Sequence, residues 1–174
     1  LKTIGDEDAD PFDIGAGAIV PAGAFAPGLA YDAGFFDYLA FSCGNNVQLV
    51  SDSDCALLES FGFSSDGSDL NLASIGVAEL VGSQTVTRTV TSVTPGTTTF
   101  DAVVEAPSGI HVAVSPMQLV LDEGESATFT VELSPAGDAA WGEWTFGALT
   151  WACRARPICS TRWWICRQPL RVTR

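Results

Sequence analysis

His111 is the single histidine in this chain of 174 residues, so any hydrolytic chemistry would have to use it as the base. Such chemistry needs a nucleophile beside the base and a third group that orients it. Between Ile110 and Val114 the histidine alternates with apolar residues, which places its side chain on the solvent face of a β-strand. No Gly-x-Ser-x-Gly turn accompanies it. We therefore predict no catalytic residue in this chain.

Cys43 and Cys55 are the two cysteines that precede residue 152, and they lie 12 residues apart in a loop-rich region. They could close a short disulfide, which would stabilise the fold by roughly 3 kcal/mol, or remain two free thiols. Because disulfides persist mainly in oxidising compartments, an oxidised pair would indicate an exported protein. We predict the structural disulfide.

Two other groups of residues could bind a ligand, but their spacing disfavours it. Asp6, Glu7, Asp8 and Asp10 could offer oxygen ligands to Ca²⁺, yet they lack the glycine-turn spacing of a calcium loop. The run 15–18 (Gly-Ala-Gly-Ala) lacks the strand-to-helix order and the nearby lysine of a phosphate loop. We expect a solvated charge run and a tight turn, with no metal and no cofactor.

The charge of the chain is strongly negative and unevenly distributed. The formal net charge is −13 at pH 7, and of eight basic residues only Lys2 and Arg88 precede residue 152. Phosphate binding needs clustered Lys and Arg, so we predict that the main body binds neither nucleic acid nor a membrane. Apolar residues make up 47% of the chain and charged residues 17%, which excludes a disordered acidic chain.

Residues 152–174 differ sharply from the rest, because they carry six arginines and no acid. Their cysteines, Cys153, Cys159 and Cys166, are too widely spaced for a Cys-x-x-Cys zinc knuckle. The run 162–167 (Arg-Trp-Trp-Ile-Cys-Arg) fits no inward-outward alternation, so we expect no strand there. We interpret this tail as the product of a shifted reading frame or a truncation, in preference to a basic or membrane-binding tail.

Composition divides the remaining chain into two segments. Residues 1–65 are rich in Gly, Ala and Phe, residues 69–151 are rich in Thr and Val, and the polar stretch 66–68 reads as a linker. Within the first segment, residues 37–43 predict one short helix with an acidic start. Such a segment cannot form a core alone, so it must pack against something else.

The second segment shows short strand patterns separated by turn residues. Clean alternation occurs where Phe100, Ala102 and Val104 share one face. The predicted strands are Ser74 to Leu80, Thr85 to Val93, Thr98 to Ala106, Ile110 to Val114, Met117 to Leu121, Ser126 to Leu133 and Trp144 to Trp151. Seven short strands without helices between them predict a mainly β fold, a Greek-key β-sandwich of immunoglobulin or fibronectin type III kind.

Arg88 is the one residue that conflicts with this pattern, because it shares a strand face with Val86 and Val90. A charge buried in the core would need a partner, for which Glu79 or Glu105 could serve. The alternative, which we favour, places Arg88 at the sandwich rim with its head group in water.

Several ordered motifs resemble one enzyme family. Residues 10–21 (Asp-Pro-Phe-Asp-Ile-Gly-Ala-Gly-Ala-Ile-Val-Pro) and 37–43 (Asp-Tyr-Leu-Ala-Phe-Ser-Cys) are similar to the end of the catalytic domain in subtilisin-like serine proteases of the cucumisin or pyrolysin type. Residues 69–75, 106–116 and 147–151 resemble their fibronectin type III-like domain. The resemblance covers about residues 3–151. The chain departs from the family pattern at Ala18, where His is usual, at Leu72-Ala73, where Tyr-Pro is usual, and throughout the tail.

The resemblance implies a C-terminal part of a secreted subtilisin-like protease: a short helix-and-loop remnant of the α/β catalytic domain, followed by an accessory β-sandwich that lacks its last strand. The family's catalytic Asp, His and Ser and its oxyanion Asn lie upstream of every motif matched here, so none is carried over. The implied partner is the catalytic domain of the parent protein. The alternative is a free-standing secreted adhesion or ligand-binding module.

Overall fold

The structure is a computed structural model that describes residues 10–14, 21, 25, 27–45, 49–137 and 144–153, and the backbone of 160–167. The acids at 6, 7 and 8 and the glycine run 15–18 therefore lie outside the described residues. The helices are α1 (Pro11–Ile14), α2 (Phe35–Gly44), α3 (Asp52–Ser60) and a 3₁₀ helix (Gly67–Asp69). The strands are β1 (Leu29–Ala30), β2 (Ile75–Val77), β3 (Gln84–Ser92), β4 (Thr98–Glu105), β5 (Ile110–Ser115), β6 (Gln118–Leu121), β7 (Ser126–Pro135), β8 (Thr145–Cys153) and β9 (Ser160–Arg167).

The strands form the predicted β-sandwich of two sheets. One sheet has the order β1-β3-β7-β5 and the other the order β2-β9-β8-β4-β6. All neighbours are antiparallel except β2 and β9. From β3 to β8, consecutive strands alternate between the two sheets, so each connection crosses the core. The predicted strands agree with β2–β8 within a few residues at each end.

The core lies between the two sheets and follows the alternation read from the sequence. Phe100, Phe129 and Trp151 are its largest fully buried side chains. Phe129 and Trp151 meet edge to face, with ring centroids 5.1 Å apart, a preferred aromatic geometry. The core therefore unites β4 and β8 from one sheet with β7 from the other.

Turn chemistry sets where these strands end. Gly96 and Gly124 have φ values of 73° and 80°, a region that costs an L side chain energy but is open to glycine. They lie in the predicted turns Thr-Pro-Gly (94–96) and Asp-Glu-Gly (122–124). These turns direct the chain from one sheet to the other.

The expectation that the sandwich lacks its last strand is wrong. Residues 160–167 form β9, which pairs antiparallel with β8 from Ala152↔Ser160 to Thr145↔Arg167 and parallel with β2. Strand pairing is made by backbone N–H and C=O groups, which every residue except proline offers in full. An unpaired edge of β8 can therefore recruit a strand even where the side chains show no regular alternation.

Residues on the two sides of the predicted boundary between the segments contact each other. β1 comes from the first segment, yet it pairs with β3 through Leu29↔Ser92 and Ala30↔Thr91. Leu29 is only 4% exposed and belongs to the sandwich core. Two residues are too short for a strand pattern to be visible in the sequence, so this pairing was not predicted.

The first segment contains a pair of helices rather than one. The predicted helix 37–43 is part of α2, which Asp37 caps by accepting a hydrogen bond from the Gly34 amide at 2.7 Å. α3 begins after Ser51, whose hydroxyl accepts from the Asp54 amide at 3.2 Å. α3 is amphipathic only weakly, since Leu58 is its one buried residue, and for this reason its sequence did not reveal it. Among the described helices, none is long and apolar enough to cross a membrane.

Cys43 of α2 and Cys55 of α3 are joined by a disulfide, as predicted. We expect reduction, or the double change Cys43→Ser and Cys55→Ser, to lower the free energy of unfolding by roughly 3 kcal/mol, because the bond restricts the unfolded chain. Circular dichroism melts with and without reductant measure this effect. The double variant is the control, since reductant should not alter it. Equal melts for the oxidised and reduced chain would contradict the prediction.

Candidate functional site at the junction of linker and sandwich

Arg88 lies on β3 between Val86 and Val90 and is only 3% exposed. Its guanidinium donates from Nε to the Leu72 carbonyl at 3.0 Å and from the two terminal nitrogens to Thr87 O at 2.8 Å and Ser74 O at 3.0 Å. Hydrogen bonds from a charged donor are stronger than neutral ones. Arg88 thus fastens the segment 72–74 across β3.

Both expectations for Arg88 need correction. The preferred position at the rim with the head group in water is wrong, because the side chain is buried. The hydrogen bonds described for it go to backbone carbonyls and not to Glu79 or Glu105. Backbone carbonyls that accept hydrogen bonds cannot be recognised from side-chain types, so the sequence suggested only carboxylates as partners of Arg88.

Burial and nearby charges act on Arg88 in opposite directions. Burial lowers the pKa of Arg88, while Asp69, Tyr31 and Asp66 raise it. Burial also raises the pKa of Tyr31, and the Arg88 charge opposes that shift. Because a guanidinium is not deprotonated in proteins, Arg88 remains a cation that the surrounding carbonyls and acids stabilise.

The outer edge of β3 is covered by side chains of the same segment. Asp69 Oδ1 accepts from the Thr87 amide at 2.8 Å. Asn71 Oδ1 accepts from the Thr89 amide at 2.8 Å, and its Nδ2 donates to Thr89 O and to Asp32 O, each at 2.9 Å. β1 continues this cover at residues 91–92. The edge is thereby closed to other strands, which limits aggregation. We call residues 69–74, with Arg88, the clamp.

Removing the Asn71 side chain should weaken this cover. We expect Asn71→Ala to lower the free energy of unfolding by about 1–3 kcal/mol, because Thr89 N–H and C=O lose their partners. Asn71→Asp keeps an acceptor for the Thr89 amide but sets a carboxylate oxygen against the carbonyls of Thr89 and Asp32, so it should also be destabilising. Urea denaturation of the three proteins measures the difference. If Asn71→Ala unfolds at the wild-type urea concentration, the cover is not stabilising.

The linker predicted at 66–68 lies within or beside the 3₁₀ helix and is bonded on both sides. Asp66 accepts from the Ser68 amide at 2.8 Å, and Gln84 of β3 donates to the Ser68 hydroxyl at 2.7 Å. On the other side, Ser65 donates to Glu59 of α3 at 2.8 Å. The junction between helices and sandwich is therefore ordered.

A groove of about 570 Å³ lies where the junction meets the outer face of β3. Three acidic residues line it, Asp32, Asp37 and Asp69. Hydroxyl-bearing residues of β3 and β7 and the stretch 61–64 after α3 also line it. These additional residues are Phe61, Gly62, Phe63, Ser64, Asn71, Thr87, Arg88, Thr89, Thr91 and Ser126.

His111 does not take part in this site. It is exposed on β5, as predicted, and its cross-strand neighbour is Ser134. Within the described residues no hydrogen bond joins these two side chains. No group of three His, Cys, Asp or Glu residues in the described chain could hold a metal ion.

Comparison with known proteins finds a domain family that matches the sandwich and proteases that match most of the chain. The model of the family described as "Fibronectin type-III domain" matches residues 69–161. Subtilisin-like protease SBT3.9 of Arabidopsis thaliana is 39% identical over 82% of this chain and 19% of its own length. Subtilisin-like serine-protease S of Lotus japonicus is 37% identical over 82% of this chain and 19% of its own. The chain thus spans about a fifth of the length of these relatives.

Among solved structures, the secreted serine protease VesC from Vibrio cholerae has a TM-score of 0.44 and 14% identity, covering 58% of this chain and 22% of that chain.

The sequence located part of the site only. The motif 69–75, quoted as part of the family resemblance, contains the clamp residues Asp69 and Asn71, but their role as an edge cover was not foreseen. The spacing of Asp69 and Asn71 is a signal for this cover, because residues two apart in an extended chain place their side chains on the same side.

Proposed function

We propose that this chain forms the non-catalytic C-terminal part of a secreted subtilisin-like serine endopeptidase. The chain belongs to the fibronectin type-III domain family, and it matches subtilisin-like proteases over most of its length. In that protein the sandwich is an accessory domain that stabilises the protease domain. The carrying observation is that the segment before the sandwich is joined to it, by the pairing of β1 with β3 and by Asn71 of the clamp, which donates to the Asp32 carbonyl.

Tight backbone packing supports a rigid connection between the helices and the sandwich. A side chain on Gly44 at the end of α2 would overlap the Ser65 carbonyl oxygen, so the helix packs directly against the residue that precedes the linker. Asn71 of the clamp donates to the carbonyl of Asp32, so the clamp also contacts the segment that leads into α2. An accessory domain that stabilises its neighbour needs such a connection, because flexibly linked domains move independently.

Exposed apolar side chains on the helix pair support a neighbouring domain. Phe35 and Phe36 of α2 are 71% and 54% exposed, with ring centroids 5.6 Å apart, and Leu57 of α3 is 53% exposed. Contiguous apolar surface of this kind typically marks an interaction site. In the proposed protein the protease domain covers it, and that domain is supplied by the same polypeptide. The disulfide between Cys43 and Cys55 suits the proposed secretion, since such bonds persist in oxidising compartments.

The chain by itself should hydrolyse no peptide, because catalysis of that kind needs a nucleophile activated by a base. We expect a serine-directed fluorophosphonate probe to leave the purified chain unlabelled under conditions that label an active serine protease. An intact subtilisin-like protease is the positive control. Stoichiometric labelling of this chain would refute the non-catalytic assignment.

A chimera tests the accessory role. Two variants of SBT3.9 are compared with the parent. In the chimera, residues 3–167 of this chain replace the region that this chain matches; in the deletion, that region is removed. We expect the chimera to keep the parent's half-life at a denaturing temperature and the deletion to shorten it about tenfold or more, consistent with loss of about 1.4 kcal/mol of activation free energy. KM for a peptide substrate should stay unchanged in the chimera. A deletion as stable as the parent would contradict the proposal.

A further inference from the structure

The groove is lined by more negative than positive side chains, three aspartates against one arginine. Asp37 uses one carboxylate oxygen to accept from Gly34, and Asp69 accepts from Thr87 and Ser64. The carboxylate of Asp32 accepts no hydrogen bond from the described residues. Arg88 is the single Lys or Arg between residues 10 and 153, and its described hydrogen bonds go to carbonyl oxygens. The groove therefore attracts cations.

The arrangement does not suit a single metal ion. Although three carboxylates line the groove, no group of three acidic, His or Cys residues in the described chain is close enough to hold a metal. Calcium needs six to eight converging oxygen ligands. Carboxylates distributed along a groove instead match positive charge carried by an elongated molecule.

The remaining surface of the groove suits the long stem of a cationic side chain. Phe61 presents a ring that is 72% exposed, and Phe63 is half-buried beside it. A lysine or arginine near such a ring gains a cation–π attraction in addition to contact with its stem. The volume of about 570 Å³ lies within the about 300–1,000 Å³ of typical ligand sites.

The floor of the groove supplies hydroxyl groups but no strand edge. Thr89 and Thr128 exchange a hydroxyl hydrogen bond at 2.9 Å, and Thr91 and Ser126 one at 2.8 Å. Hydroxyls can donate and accept, so they can also bond the amides of a peptide. The Asn71 side chain already bonds the N–H and the C=O of Thr89. An incoming chain therefore cannot join β3 as a strand there. It must be recognised by side chains.

We propose that this groove binds an extended polypeptide segment carrying lysine or arginine side chains, with the ammonium or guanidinium group near Asp32 and the stem against Phe61. The proposal goes beyond the accessory role, because it concerns binding of a ligand in a groove that the clamp residues Asp69, Asn71 and Arg88 line only in part. Its failure would leave the stabilising function untouched, since its test changes Asp32 and Phe61, which lie outside the clamp, and measures peptide affinity rather than protein half-life.

The test is binding of a fluorescent peptide, Ala-Lys-Ala-Lys-Ala, to the full chain, measured by anisotropy at low ionic strength. The comparison peptide has glutamate in place of lysine. Asp32→Asn and Phe61→Ala are each expected to weaken binding by about fivefold. Asp52→Asn makes the same charge change at the start of α3, outside the groove lining, and should change the affinity by less than about twofold.

Selective binding of the lysine peptide, weakened by Asp32→Asn and Phe61→Ala but not by Asp52→Asn, would support the proposal. Absence of binding would overturn it. Equal binding of the glutamate peptide, or equal loss with Asp32→Asn and Asp52→Asn, would also overturn it, since either result would indicate nonspecific association. Displacement of the peptide by CaCl₂ at matched ionic strength, beyond that by KCl, would assign the groove to a metal ion instead.

Discussion

Arg88→Met is expected to lower the free energy of unfolding of the sandwich by about 3–5 kcal/mol, because the carbonyls of Leu72, Ser74 and Thr87 lose a charged donor and remain partly buried. Asp69 also loses the cation near it. Equilibrium urea denaturation followed by tryptophan fluorescence measures the change. We expect a parallel loss of protection from hydrogen exchange at the amides of residues 72–74.

Two further variants make this result specific. Arg88→Lys keeps the charge but not the planar fork of donors, so its stability should lie between those of the wild type and Arg88→Met. Thr85→Ala changes an exposed residue of the same strand and should be within about 0.5 kcal/mol of the wild type. If Arg88→Met were as stable as the wild type, the clamp would not hold the segment to β3.

Trp151→Ala should cost a similar amount for a different reason. Trp151 is fully buried and packs edge to face against Phe129, so truncation leaves a large cavity in the core. Such changes lower the free energy of unfolding by about 3–5 kcal/mol. A urea titration of purified protein, followed by circular dichroism because a tryptophan is removed, measures the loss.

Trp151→Phe is the matched control for this prediction. The indole N–H is buried and has no hydrogen-bond partner in the described structure, so its removal leaves no partner unsatisfied. Phenylalanine retains most of the packing, and we expect a loss below about 1.5 kcal/mol. A loss as large as that of Trp151→Ala would show that the indole makes a stabilising contact beyond the packing that phenylalanine retains.

The architecture of the sandwich was predictable because local pattern and burial agree there. Phe129, Val131 and Leu133 alternate with polar residues along β7 and lie in the core. Such alternation reports directly which face a strand buries. Glycine and proline turns between the strands then define their ends. The family resemblance pointed in the same direction, and the fibronectin type-III match over residues 69–161 confirms it.

The parts that were missed depend on backbone contacts between distant segments. β1 is only two residues long. β9 pairs through its main-chain groups, and this pairing cannot be predicted from its side-chain pattern. The burial of Arg88 likewise depends on carbonyls 14 and 16 residues earlier in the chain. Sequence patterns report the faces of elements, but they do not report which backbone groups meet. The site was therefore less predictable than the fold.

The most direct measurement of the central claim, that a non-catalytic sandwich stabilises its protease through the clamp, compares three chimeras of SBT3.9. They carry the wild-type residues of this chain, Arg88→Met, or Thr85→Ala. We predict that Arg88→Met shortens the half-life at a fixed denaturing temperature about tenfold or more, while KM is unchanged and Thr85→Ala behaves as the wild type. Equal half-lives for all three proteins would contradict the account.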